Sequence, residues 1–91
     1  MELVGLLEQT KRYLSDLTGL KPVAVTRVFH DQAGWHVGIE MLELSRIPSS
    51  TDLLGDYDVL LAEDGSLVKF ERRRTRLRSE SFEEFAAGEA A

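Results

Sequence analysis

The sequence predicts an α+β fold: an N-terminal helix packed on a four-stranded antiparallel β-meander, with a short C-terminal helix or tail. Three observations predict it. Apolar side chains recur at helical spacing from Leu3 to Leu17. Around the Asp31-Gln32-Ala33-Gly34 turn they alternate at strand spacing, and Asp64-Gly65 divides a second alternating block. A chain of 91 residues makes one domain. The α+β domain is assigned to residues 1–78 and an acidic tail to 79–91.

The helix is read over 3–17. Leu3, Leu6, Leu7, Thr10, Tyr13, Leu14 and Leu17 form one stripe, with Glu8, Lys11, Arg12 and Asp16 opposite. Glu8 and Arg12 make a favourable i,i+4 pair. Gly19 supplies a left-handed stop, Leu20 its hydrophobic follower, and Pro22 bars continuation. The stripe is read as a core face, because short helices persist only when packed.

Two strands follow, at about 23–31 and 34–45. Trp35, Val37, Ile39 and Met41 share one parity. A two-residue loop sets Trp35 opposite His30 and Val37 opposite Val28. The other face then holds Val23, Val25, Phe29, Glu40, Leu42 and Leu44, too apolar a set for water alone. The second hairpin, at about 55–63 and 66–77, turns at Asp64-Gly65. That turn pairs Leu61 with Val68, Val59 with Phe70 and Tyr57 with Arg72, all on the core face. On the outer face it opposes Asp56 to Arg73 and Asp58 to Glu71, the last pair needing Arg73 or Lys69 between them. Trp35, Val37, Ile39, Val59, Leu61, Val68 and Phe70 are expected under the helix. Between the hairpins, Pro48 and Ser49-Ser50-Thr51-Asp52 block regular pairing. Past Ser79, Ser81-Phe82-Glu83-Glu84 fits a capping box, so the end reads as a short helix or as a frayed acidic tail.

Charge is unevenly placed. The net charge is -5, yet Lys69, Arg72, Arg73, Arg74, Arg76 and Arg78 crowd one strand, interrupted only by Glu71 among charged residues. Such a chain fits an acidic partner or joins copies of itself head to patch. Hydrophobic residues at 43% support a folded core, and the absence of cysteine removes disulfides and thiolate metal sites. No apolar run approaches the ~20 residues of a membrane span. Nor does the N-terminus read as a signal peptide. A cytoplasmic protein is expected.

The residues offer little to an enzyme. His30 and His36 differ in parity and cannot share a metal. Neither a nucleophile elbow nor a phosphate-binding glycine loop occurs. Glu40 and Glu43 also differ in parity, so they do not form a facing carboxylate pair; pairing with neighbouring arginines is the plainer expectation. No catalysis and no cofactor are expected. The alternative is a small nucleic-acid-binding or regulatory domain that sets the arginine strand on phosphates, with Arg72, Arg74 and Arg76 on one face and Arg73 on the other. The acidic remainder of the chain would repel a polyanion, and only Phe70 lies nearby for stacking. Arginines that merely protect an exposed edge are a third reading.

One stretch is more specific. It carries Trp35, Val37, Ile39 and Glu40, then Glu43, Leu44, Arg46, Ile47 and Pro48, then Thr51, Asp52, Leu53 and Leu54, then Tyr57 and Asp58. Phe70 and Arg72 follow on a basic strand. From about Leu14 to Phe70 this order resembles the gas vesicle protein O (GvpO) family. The resemblance implies a non-catalytic accessory protein for gas vesicle assembly, associated with gas vesicles in the cytoplasm. It would act through contacts with shell or other accessory proteins, without nucleic acid or membrane. Arg46, Arg72, Arg73, Arg74, Arg76, Arg78, Glu40 and Glu43 are the candidate partner-binding residues. Arg46 has two readings: a clamp on Glu40, Glu43 or Asp52, or an exposed contact for a partner.

Overall fold

The computed structural model describes residues 2–79, so the expected helix or tail beyond them lies outside the described residues. Helix α1 spans Leu3–Thr18. Strands β1 (Lys21–Asp31), β2 (Gly34–Leu44), β3 (Leu53–Leu61) and β4 (Leu67–Leu77) follow, with a 3-10 turn at Ser49–Thr51 between β2 and β3. The sheet order is β1-β2-β3-β4, all antiparallel, as a meander requires.

The helix stops where its sequence says. Gly19 takes φ 75, and its N–H returns to the Ser15 carbonyl at 2.8 Å. Leu6, Thr10 and Leu14 are fully buried, and Thr10 Oγ1 donates to the Leu6 carbonyl at 2.7 Å. The stripe is narrower than predicted: Leu3 and Leu17, at its two ends, are about half exposed. Helix α1 lies over β1 and β2. Beneath it Val37, Ile39 and Met41 of β2 meet Tyr57, Val59 and Leu61 of β3 in one cluster. Leu20, Val25, Val28, Trp35 and Leu67 close its margins.

The first hairpin pairs His30 with Trp35 and Val28 with Val37, as expected. It then departs from simple alternation. Register shifts between Pro22 and Ala24 and between Val25 and Arg27 insert extra residues in β1. Each bulge reverses which face the following residues take. Val25 therefore lies opposite Ile39 and joins the core, while Phe29 stays on the outer face opposite His36.

The second hairpin closes through three residues, not two. The Gly65 N–H donates to the Ala62 carbonyl at 2.9 Å, and the Ala62 N–H to the Ser66 carbonyl at 2.8 Å. With Gly65 at φ 89, this is a tight turn closed by a glycine bulge. The added residue moves Leu67 opposite Leu61, so Val68 is half exposed instead of buried. Pairing realigns at Val59–Phe70 and Tyr57–Arg72. Phe70 nonetheless keeps 37% of its surface, because α1 packs mainly over β1 and β2, away from β4.

Candidate functional site

Strand β4 is an edge, and its arginines reach inward across the sheet. A register shift between the Asp56 and Tyr57 pairs makes Arg73 the extra residue. The predicted alternation is thereby broken. Arg72 stays with Tyr57 on the helix side, whereas Arg74 lies opposite Asp56 and Arg76 opposite Leu54 on the outer face.

Each of these arginines meets a carboxylate. Arg76 grips Glu40 through Nε to Oε2 at 2.5 Å and Nη2 to Oε1 at 2.9 Å. Arg73 Nε lies 3.2 Å from Asp58 Oδ2, and Arg74 Nε 3.9 Å from Asp56 Oδ2. Arg27 reaches the same carboxylates from β1, with Nη1 3.4 Å from Asp56 and Nη2 against Asp58. Asp58 does stand opposite Glu71, and Arg73 and Arg27 relieve that repulsion. Glu40 and Asp56 are both buried and lie side by side on β2 and β3, an arrangement tolerable only under such cations.

Two glycines make this network fit. A Cβ on Gly38 would sit 2.6 Å from the Arg27 guanidinium carbon, so the bare backbone lets Arg27 lie flat toward β3. A Cβ on Gly55 would overlap the Glu43 carboxyl group. Sequence reasoning passed over both, although glycine inside a strand signals close approach.

On the helix side Glu43 is the centre. It accepts from the Tyr57 hydroxyl at 2.8 Å and from Arg72 Nη2 at 2.8 Å. Burial pushes the Tyr57 phenol above its ordinary value, and the hydrogen bond to Glu43 adds to the shift. Glu40 and Glu43 thus serve opposite faces, each joined to an arginine of β4.

The Arg46-Ile47-Pro48 corner differs from its clamp reading. Asp52 is buried and accepts the Arg46 backbone N–H at 2.7 Å, while Arg78 Nε approaches its other oxygen at 3.1 Å. The clamp is Arg78. Among the described residues the Arg46 side chain is exposed and forms no ion pair, and Ile47 beside it is fully exposed. The Ile47–Pro48 peptide bond is cis.

The histidines point apart as predicted. His36 stacks on Phe29 at 4.4 Å on the outer face, and His30 tilts against Trp35 at 4.6 Å. His30 pairs with Glu63, and His36 with Asp31, whose carboxyl the His36 hydrogen bond holds below its ordinary range. Among the described residues no group of three His, Asp or Glu side chains is placed to hold a metal. None of their helices is long and apolar enough to cross a membrane.

The molecule is thus a small α+β protein whose sheet is covered by a helix on one face and laced with arginine–carboxylate pairs on the other. Comparison with known proteins identifies its family. Residues 1–81 match the family described as gas vesicle synthesis protein GvpO, and the chain belongs to it. It is also similar to gas vesicle protein O of Streptomyces sp. (strain CB03234), 35% identical over 68 residues. That match covers 75% of this chain and 53% of the relative, so the chain spans about half the length of the curated relative it matches. No solved structure matches it.

Proposed function

We propose that this chain is a non-catalytic accessory in gas vesicle formation, acting in the cytoplasm through contacts with shell or other accessory proteins. The family match over residues 1–81 carries the reading. The surface chemistry supports a protein partner. Arg73 and Arg74 keep 50% and 69% of their side chains exposed at the sheet edge, so their outer halves are free to meet a second carboxylate surface. Arg72, Arg76 and Arg78 contribute to the same surface while Glu43, Glu40 and Asp52 hold them in place.

The nucleic-acid alternative loses ground on the same geometry. A phosphate would have to draw these arginines away from carboxylates that already neutralise them. Deletion in vesicle-forming cells tests the function. Vesicles should be lost while the shell protein is still made, and the full chain supplied in trans should restore them. Normal vesicles in the deletion strain would overturn the reading.

A further inference from the structure

We infer that the Arg46-Ile47-Pro48 corner is a docking knob: Ile47 inserts into an apolar socket of a partner protein, and Arg46 meets a carboxylate at its rim. That the partner belongs to gas vesicle formation rests on the function proposed above; the knob itself rests on the geometry.

Ile47 is the most exposed large apolar residue among those described, with all of its surface in water, and Leu44 nearby is 47% exposed. The Ile47 side chain therefore buries no surface within the described residues. Burying it in a partner would remove that apolar surface from water, which favours association. Arg46 stands beside it with a cation no carboxylate of the described residues engages, in contrast to the arginines of β4. Arginine next to a buried apolar anchor is a frequent centre of binding energy.

The corner is also held still. On one side the Arg46 N–H is tied to Asp52. On the other, Thr51 returns both its N–H and its hydroxyl to the Pro48 carbonyl, at 3.0 and 2.7 Å. The Asp52 N–H reaches the Ser49 carbonyl at 3.0 Å, and the Asp52 carbonyl accepts the Arg78 N–H at 2.8 Å. A loop fixed in this way loses little entropy on binding. A protein fits better than a membrane, because a chain of net charge -5 is repelled by anionic lipid.

The test places a photo-crosslinking amino acid at position 47, and at position 29 on the outer sheet face as a control, in the full chain in vesicle-forming cells. Adducts are identified by mass spectrometry. The expected result is an adduct at 47 with a gas vesicle protein, falling about tenfold when Arg46→Glu is added, as loss of one good contact implies. Ile47→Asp should abolish vesicles without changing the melting temperature or the abundance of the chain. Vesicles at wild-type level in a folded, abundant Ile47→Asp variant would overturn the knob, as would adducts at 29 but none at 47. So would recovery on anionic phosphatidylglycerol vesicles that Ile47→Asp removes, which would mark a membrane anchor. If deletion of the whole chain spares the vesicles, the functional reading fails. The knob then stands or falls on whether a protein adduct at 47 depends on Arg46.

Discussion

Arg76 on the edge strand β4 and Glu40 on the inner strand β2 form a two-point hydrogen-bonded pair that spans β3. It fastens the outermost strand to the centre of the sheet from the face that α1 does not cover. The pair also explains how a glutamate can be 8% exposed next to the equally buried Asp56.

Removing the cation should therefore be costly. Arg76→Ala leaves a buried carboxylate short of its donors and should lower unfolding free energy by about 1–3 kcal/mol. Arg76→Lys keeps the charge but not the planar fork, and should recover only part of the loss. Urea unfolding of the three proteins checks this ranking; equal midpoints for wild type and Arg76→Ala would refute it.

Tyr57 gives a pH signature. Burial and the bond to Glu43 raise its pKa in the folded state above the ordinary 10.0, so the folded chain retains the phenol proton longer than the unfolded chain does. Its contribution is whole below about pH 10 and is lost as pH rises through the folded pKa. Melting temperature should fall as pH rises above the ordinary phenol value of 10.0 in the wild type. Tyr57→Phe should melt lower at neutral pH, by the hydrogen bond's worth of about 0.5–1.5 kcal/mol, and decline less steeply above pH 10. Parallel declines for the two proteins would show that another group governs alkaline unfolding.

The core makes a graded prediction. Ile39 is fully buried beneath α1, while Phe70 faces the same way but keeps 37% of its surface. Ile39→Ala should cost about 2–5 kcal/mol. Phe70→Ala, despite the larger side chain, should cost about 1–2 kcal/mol, since a half-covered ring leaves no closed cavity. Denaturant midpoints in the reverse order would mean that something beyond α1 covers β4.

The difference between Ile39 and Phe70 shows where sequence reasoning reaches its limit. The Gly19 stop, the β2 core face and the His30–Trp35 register were legible because a few neighbouring residues determine each. The extra residues in β1 and at Arg73 were not. A bulge keeps composition and strand length and changes only the count between two pairs, and the choice is made by the partner strand. One such residue moved Val25 into the core, and another sent Arg72 and Arg74 to opposite faces. The pairing of Glu40 and Glu43 with arginines was anticipated in kind, because their parity alone kept them apart. Gly38 and Gly55 were readable as sites of close approach, and they mark the two arginine–carboxylate clusters. Arg78 as the partner of Asp52 was not, since 26 residues separate them and only the closed sheet brings them together.

The arginine edge offers the last test. Arg73 and Arg74 are the two whose side chains are most exposed of the β4 arginines that pair on the outer face, and their partners Asp58 and Asp56 are also served by Arg27. Reversing both to Glu should therefore leave the chain folded. Arg73 and Asp58 form an exposed pair worth only ~0–1 kcal/mol. A glutamate at position 74, where the arginine is 69% exposed and 3.9 Å from Asp56, can turn outward while Arg27 still serves buried Asp56. Arg76 is spared, because reversing it would set a second carboxylate against buried Glu40. If the edge binds an acidic protein surface, the double reversal should abolish co-purification with gas vesicle proteins. The wild-type complex should weaken as ionic strength rises beyond ~0.15 M, where screening acts within about 8 Å. Duplex DNA should bind neither protein at that salt. Tight DNA binding lost in the double variant would transfer the edge to the nucleic-acid reading. Unchanged vesicles in a folded double variant would leave these two arginines as guards against edge-to-edge pairing. Set beside Ile47→Asp, the outcome separates a charged edge from an apolar knob as the surface through which the chain acts.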